Sequence, residues 1–269
     1  MSSETWIPDD AARDKPSPAR MYDYLLGGFH NFEIDRLAAE KVLLITPQLR
    51  LMAHINRAFL RRAVHYLVEQ RIDQYLDIGS GIPAIGNVHE VAQTANPEAR
   101  VVSVDIDPIA VAHSRAMLVD NPYATAIRGD VRAPDEILSH PGVRRLLDFG
   151  RPIAIVLAMV IQFVPDDALA YAVVRRLREA MASGSFLVIA HGAPGTQPPD
   201  KERQLAEAIQ GITTTKMRTA EEMMRFFEGL ELVEPGLVLT PLWRPEGPDD
   251  VGLDAPELGL SLVGVGRKP

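Results

Sequence analysis

The sequence predicts a doubly wound α/β fold: a mostly parallel sheet with helices on both faces, an antiparallel C-terminal edge pair and an N-terminal helical cap. Three observations carry that expectation. Residues 74–84, Q-Y-L-D-I-G-S-G-I-P-A, run from an apolar strand into a glycine turn, with Pro83 suited to a first helical turn. Strand-like and helix-like segments then alternate regularly. The segments around 101–104 and 153–157 are apolar on both faces, as a covered parallel sheet requires.

Composition narrows the function classes. The chain has 269 residues, enough for a full core, with 46% apolar and 24% charged residues. A net charge of -8 argues against nucleic acid as the main partner, because phosphate binding needs a basic face. No cysteine is present, so disulfides, thiolate nucleophiles and Cys-ligated zinc are excluded together. No paired His and carboxylate has clear ligand spacing, so no metal site is expected. The opening M-S-S-E-T-W-I-P-D-D lacks the basic and apolar regions of a signal peptide. The longest apolar run, 153–164, contains Gln162 and is too short to span a bilayer. A cytoplasmic protein without a membrane partner is expected.

Taken in order, residues 1–16 are polar and proline-containing and read as a flexible tail. Residues 17–70 read as a helical cap. Ser17-Pro18 opens a first helix, stopped by Gly27-Gly28. A second helix covers about 33–44. Thr46-Pro47 starts a third, reaching about 70, with Leu51, Ile55, Ala58, Phe59, Val64 and Leu67 on its apolar face. Residues 71–269 read as the ligand-binding domain. Strands are expected at 74–79, 99–106, 124–129, 152–159 and 184–191. Helices are expected at about 84–95, 108–119, 134–147 and 166–182. A capping box from Thr219 to Glu222 starts a helix at 219–229. Strand-like 231–239 and 259–266, joined by a Pro- and Gly-rich loop, make the edge pair.

In such sheets ligands bind at the carboxyl ends of the strands. Gly79, Ser80 and Gly81 let backbone approach a ligand closely. Asp105, with its neighbour Ile106, ends the second strand and is placed to bind ribose hydroxyls. Asp107, before Pro108, reads as a helix cap. The relaxed fingerprint Gly79-x-Gly81-x-x-Ala84 admits a nicotinamide dinucleotide and hence an oxidoreductase. Asp77 opposes it, because a carboxylate beside that turn repels a pyrophosphate. S-adenosylmethionine carries no phosphate; its ammonium and sulfonium are both cationic, and Asp77 suits them. Asp130 and Val131 end the third strand, where a carboxylate and a backbone N–H can take an adenine edge. Ala158 and Met159, ending the fourth strand, fit the methionine part of that cofactor.

These motifs, D77-I-G-S-G81, V-V-S-V-D105 and R-G-D130-V, resemble those of class I S-adenosylmethionine-dependent methyltransferases. A fuller resemblance, to a largely uncharacterised bacterial family of methyltransferases, rests on A19-R-M-Y-D-Y-L-L-G-G-F-H-N-F32, L76-D-I-G-S-G-I-P, G86-N-V-H-E-V-A-Q93, G229-L-E-L-V-E-P-G-L237 and the terminal G264-V-G-R-K-P. It implies a Rossmann-like methyltransferase sheet and a helical cap over the cofactor site, with Tyr22, Gly28, Asn31 and Phe32 near the ligand. Gln162 stands where related sequences often carry His. The family implies the cofactor and names no acceptor.

Methyl transfer chiefly needs alignment and exclusion of water, with a general base useful for hydroxyl acceptors. His191, ending the fifth strand, is the expected base candidate, and His89 a weaker one. A small-molecule acceptor is expected from the acidic charge and the capped site. A regulatory protein that binds S-adenosylmethionine without turning it over is the other class the sequence admits.

Overall fold

The computed structural model describes residues 12–210 and 212–269. Of the expected tail, 1–11 lie outside the described residues, and 12–16 carry no helix or strand. Three helices come first: α1 (Pro18–Leu25), α2 (Glu33–Ile45) and α3 (Leu49–Glu69). Pro18 occupies the first turn of α1, where its missing N–H has no helical partner to lose. The Asp35 side chain of α2 accepts from the Phe32 N–H at 2.8 Å and holds the helix start.

Strands and helices then alternate. The order is β1 (Gln74–Ile78), α4 (Val88–Ala95), β2 (Arg100–Asp105), α5 (Pro108–Met117), β3 (Ala124–Arg128), α6 (Pro134–Ser139), α7 (Pro141–Leu146), β4 (Ala154–Ala158), α8 (Asp167–Ala180) and β5 (Phe186–Gly192). After β5 come α9 (Pro199–Gln210), α10 (Ala220–Met224), β6 (Glu231–Leu232), β7 (Val238–Leu239) and β8 (Ser261–Arg267). The sheet order is β3-β2-β1-β4-β5-β8-β6, with β7 also paired to β8. β1 to β5 pair in parallel, and β8 runs antiparallel to β5, β6 and β7. The doubly wound sheet and its antiparallel edge are as the sequence predicts.

Strand alternation sorts side chains between two cores. Leu76, Ile78, Val102 and Val104 face one layer, covered by residues of α6, α7, α8 and α10. Tyr75, Val101, Ala154, Val156 and Val188 face the other, packed against Phe59, Leu60, Ala63, Val64 and Leu67 of α3 and Val88, Val91 and Ala92 of α4. α3 is therefore a layer of the sheet domain, and a boundary at residue 70 does not separate two cores. Arg62 ties α3 to the C-terminal loop, donating from Nε to the Trp243 carbonyl and from Nη2 to the Thr240 carbonyl, both at 2.9 Å.

Three expectations about elements are corrected, and one helix was not expected. The helix expected at 134–147 is two, because His140 precedes Pro141 and is pushed out of the helical region. The strand expected at 231–239 is two short bridges, because Pro235 has no N–H for a ladder. The helix expected at 84–95 starts only at Val88: Gly86 sits at φ +80, and the Glu90 carboxylate accepts from the Gly86 N–H (2.8 Å) and the Asn87 N–H (3.2 Å). α9 has no counterpart in the sequence reading: Leu205 alone is buried, so it presents no apolar stripe.

Candidate functional site

The site is built where β1 and β2 end. Gly79 and Gly81 take φ +77 and +68, which lets the chain turn sharply after Ile78. The Gly79 and Ser80 N–H groups donate to the Val104 carbonyl at 2.7 and 3.1 Å, folding the turn over the end of β2. A Cβ at Gly79 would lie 2.6 Å from the Val160 side chain, whereas one at Gly81 would meet nothing within 4 Å. Gly79 is held by packing on β4's exit, and Gly81 borders open space.

Two carboxylates stand beside this turn. Asp105 bridges it: Oδ2 accepts from the Gly81 N–H at 2.7 Å and Oδ1 from the Asp107 N–H at 2.8 Å. Burial nevertheless pushes its pKa up to about 6. Asp77 lies opposite Ser103 in the β1–β2 register and is 7% exposed. Its carboxylate makes no hydrogen bond among the described residues. Burial raises its pKa to about 7; the Arg57 charge opposes the rise and Asp105 adds to it. Asp77, Ser80, Gly81, Asn87, His89 and Ser103 line one small pocket. His89 is kept below the usual imidazole range by burial, with Glu90 opposing.

The other expected residues fall into distinct surroundings. Ile106 is 53% exposed just beyond Asp105, an apolar side chain left open at the strand end. Asp130 is gripped by Arg132, whose Nε donates at 2.9 Å to each carboxylate oxygen. Burial acts upward on Asp130, but the bonds from Arg132 outweigh it and hold the pKa below the carboxylate range. Val131 is buried in the core beneath. Ala158 is half-buried, and Met159 is held at φ +58 with its N–H donating to the Ala190 carbonyl at 2.8 Å. A non-glycine residue in that region carries strain, which concentrates at functional sites.

The N-terminal residues divide as well. Phe32 packs against Ile82 of the glycine loop and Ile109 and Ala110 of α5. Tyr22 donates to the Ala53 carbonyl at 3.1 Å and accepts from Asn56 Nδ2 at 3.0 Å. Gly28 and Asn31 serve the α1–α2 turn. A Cβ at Gly28 would sit 2.0 Å from Asp23 Oδ1, and Asn31 Nδ2 donates to Asp23 Oδ2 at 2.7 Å.

His191 is corrected as a base. It is fully buried, its Nδ1 bonds the Gly192 carbonyl at 2.7 Å, and its Nε2 accepts from Arg218 Nη1 at 3.2 Å. Burial, with the Arg218 charge, lowers its pKa to about 4. The ring is neutral at pH 7 and has no free lone pair for an acceptor's proton.

The sequence reading missed a buried network joining α1 and α2 to the β2 end. Arg20 Nε bonds Asp35 at 2.7 Å, and its Nη1 bonds Asp107 Oδ2 at 3.2 Å. Ser17 Oγ donates to the same Asp107 oxygen. Asp107 also caps α5, as expected, accepting from the Ile109 N–H at 2.8 Å. No spacing rule marks an arginine whose partners lie 15 and 87 residues away. Among the described residues, no group of three His, Asp or Glu side chains could hold a metal, and no helix is long and apolar enough to cross a membrane.

Residues 4–269 match the model of the S-adenosyl methyltransferase family. The chain belongs to that family. It is similar to a candidate methyltransferase from Thermobifida fusca YX: 42% identity, 98% of this chain and 99% of that one, TM-score 0.91. It is also similar to a DUF574 family protein from Streptomyces avermitilis MA-4680, at 36% identity, 96% and 99% coverage and a TM-score of 0.89. Human N-acetylserotonin methyltransferase, solved with S-adenosylmethionine, shares the fold alone: 12% identity, 94% and 63% coverage, TM-score 0.52. No curated protein matches the chain significantly. As a member of this family, the protein is a methyltransferase with S-adenosylmethionine as its cofactor. The site residues fit that cofactor: the buried Asp77 carboxylate has no hydrogen bond among the described residues, Asp105 keeps lone pairs to spare, and space is open beside Gly81.

Proposed function

We propose that this methyltransferase acts on a small-molecule acceptor and binds its cofactor across the ends of β1 to β4. The observation that carries the proposal is the pair of buried carboxylates, Asp77 and Asp105, flanking the glycine turn. Each is uncomfortable as an anion when alone. A cation relieves both, whereas a pyrophosphate would be repelled by both. In this reading Asp77 supports the α-ammonium and Asp105 accepts from the ribose hydroxyls. Ile106 covers an adenine face. Asp130 and the Val131 N–H take the adenine edge, Asp130 using lone pairs that Arg132 leaves. Gly79, Ser80 and Gly81 bring backbone against the ligand, and Ala158 and Met159 lie along its methionine part. Phe32 closes the site from the N-terminal side, with Tyr22, Gly28 and Asn31 shaping the segment that holds it.

The bound cofactor supplies a sulfonium methyl, which passes to an acceptor lone pair as the carbon–sulfur bond breaks onto sulfur. The protein's share is alignment and a dry site. α2 packs against α9, and Thr46 Oγ1 meets Gln197 at 3.3 Å, so a helix that precedes β1 and one that follows β5 form an enclosure beside the exit of β5. That enclosure and the net charge of -8 favour a small acceptor over nucleic acid. His191 is not assigned as base, because both its nitrogens are engaged.

The test is calorimetric titration with S-adenosylmethionine, S-adenosylhomocysteine and NADH, followed by detection of S-adenosylhomocysteine after incubation with small-molecule fractions. Binding of the first two ligands and turnover with a small molecule are expected. NADH binding without S-adenosylhomocysteine binding would overturn the reading.

A further inference from the structure

β3 comes first in the sheet order, with β2 on one side and no strand on the other among the described residues. A cleft of about 540 Å³ opens at this edge, where the turn at 118–122 enters β3. That is a volume suited to a small molecule. The cleft lies at the amino end of β3, whereas the candidate cofactor site lies at the carboxyl ends of the strands. Its lining and that of the small pocket holding Asp77 share only Leu118.

Two arginines line the cleft from opposite sides of the sheet edge. Arg115 is in the last turn of α5 and Arg145 in the last turn of α7. α7 buries Val143 and Leu146 in one core layer, while Leu118, at the end of α5, is buried in the other. Arg115 Nε donates to the Ala126 carbonyl at 2.9 Å, which takes up a β3 acceptor and fixes the guanidinium beside the edge. Its Nη1 and Nη2 make no hydrogen bond among the described residues, and Arg145 makes none there at all. Neither arginine has an ion-pair partner among those residues. In a chain with 36 Asp and Glu against 28 Lys and Arg, two arginines on one cleft without a carboxylate partner stand out. Their mutual repulsion is relieved by an anion between them.

The rest of the lining limits what that anion is. Asp120 supplies the one carboxylate, so the lining keeps one positive charge in excess, too little to hold a nucleic-acid backbone. Asn121 is spent on structure: Nδ2 donates to Gln93 Oε1 at 2.7 Å and Oδ1 accepts from the Tyr123 N–H at 3.0 Å. Val119, 76% exposed, and Pro122 present apolar surface. A guanidinium pairs with a planar or tetrahedral oxyanion through parallel N–H bonds. We propose that this cleft is a separate binding site for a small oxyanion, a carboxylate or a phosphate, carried on a compact apolar group. Arg115 and Arg145 hold the oxyanion, and Val119 and Pro122 flank the apolar part. The site stands apart from methyl transfer and does not depend on how the cofactor is bound.

The test titrates benzoate, phenyl phosphate and the neutral benzamide into the full chain by calorimetry. At least one of the two anions should bind with a Kd below about 1 mM, and benzamide at least tenfold more weakly. The tighter anion identifies the head group. Two variants locate the binding. Arg145→Gln removes a guanidinium that makes no bond in the folded protein, and Val119→Glu brings a second carboxylate to the exposed wall of the cleft. Each should lower anion affinity at least tenfold while leaving the unfolding midpoint in denaturant unchanged. Anion affinity unchanged in either variant puts the ligand elsewhere and overturns the proposal. Benzamide binding as tightly as benzoate overturns it too, as does the absence of binding by both anions.

Discussion

Two buried polar clusters sit at the carboxyl ends of the same sheet, and they are opposites. At β5, His191 and Arg218 are both fully buried, and their bonding is nearly complete. Arg218 donates to His191, to the Ile161 and Val164 carbonyls and to Asp167. At β1, Asp77 is almost as buried, and its carboxylate makes no hydrogen bond among the described residues. Burial of an ionisable group is common to both and so does not distinguish a site from a strut. What distinguishes them is unfinished bonding: the β5 cluster needs nothing further, while the β1 cluster has charge and lone pairs awaiting a partner.

The comparison can be broken from either side. Arg218→Met should produce the largest effect, a stability loss of about 3 kcal/mol, because buried carbonyls lose their donors. Denaturant unfolding measures it, and S-adenosylhomocysteine affinity of the folded variant should hold within about twofold. An affinity loss matching the stability loss would mean that the β5 cluster belongs to the site. Asp105→Ala should act in the reverse sense, weakening cofactor binding by about 2 kcal/mol through lost charge-assisted bonds. Unchanged affinity in calorimetry would remove Asp105 from the ribose subsite.

A smaller effect follows from Asp77. With a pKa raised to about 7, it is mostly protonated at pH 6 and mostly ionised at pH 8. Support of a ligand ammonium requires the ionised form, so S-adenosylhomocysteine affinity should rise roughly tenfold between those pH values. Asp77→Asn should flatten the profile. A flat wild-type profile would show that Asp77 does not meet the ammonium.

The smallest effect is a contrast of signs in the unliganded protein. Asp77 and Asp105 have raised folded pKa values, so their stabilising share is present below about pH 4 and is lost as pH rises through about 6 to 7. His191 has a depressed value, so its share is present above the ordinary imidazole range and is lost as pH falls toward about 4. Denaturant unfolding of the wild type, Asp77→Asn and His191→Gln across pH 4–8 should therefore show slopes altered in opposite senses by the two substitutions.

Much of this molecule is legible in its sequence. The β1 to β5 strands announce themselves as apolar runs between turn residues, and Gly79 to Gly81 marks where a ligand meets the sheet. Asp77 and Asp105 stand out because carboxylates are unusual at the ends of such strands. Some misread elements had local cues: His140-Pro141 divides a helix, Pro235 a strand, and Gly86 delays α4. α9 had almost none, since a helix with one buried side chain has no periodicity to detect.

The roles of the histidines and arginines were not legible, and the cause is physical. His191 looked like a base because it ends a strand at the ligand edge, yet Arg218, 27 residues on, occupies its second nitrogen. Arg57 looked like any polar residue on an amphipathic helix until the loop at 84–87 captured one corner of its guanidinium and left the rest open. The sequence by itself determined which residues reach the carboxyl end of the sheet, because alternation and turn chemistry are local. Only the tertiary structure decided which of them arrive with bonds to spare, because a hydrogen bond is completed by whatever distant segment packs beside it.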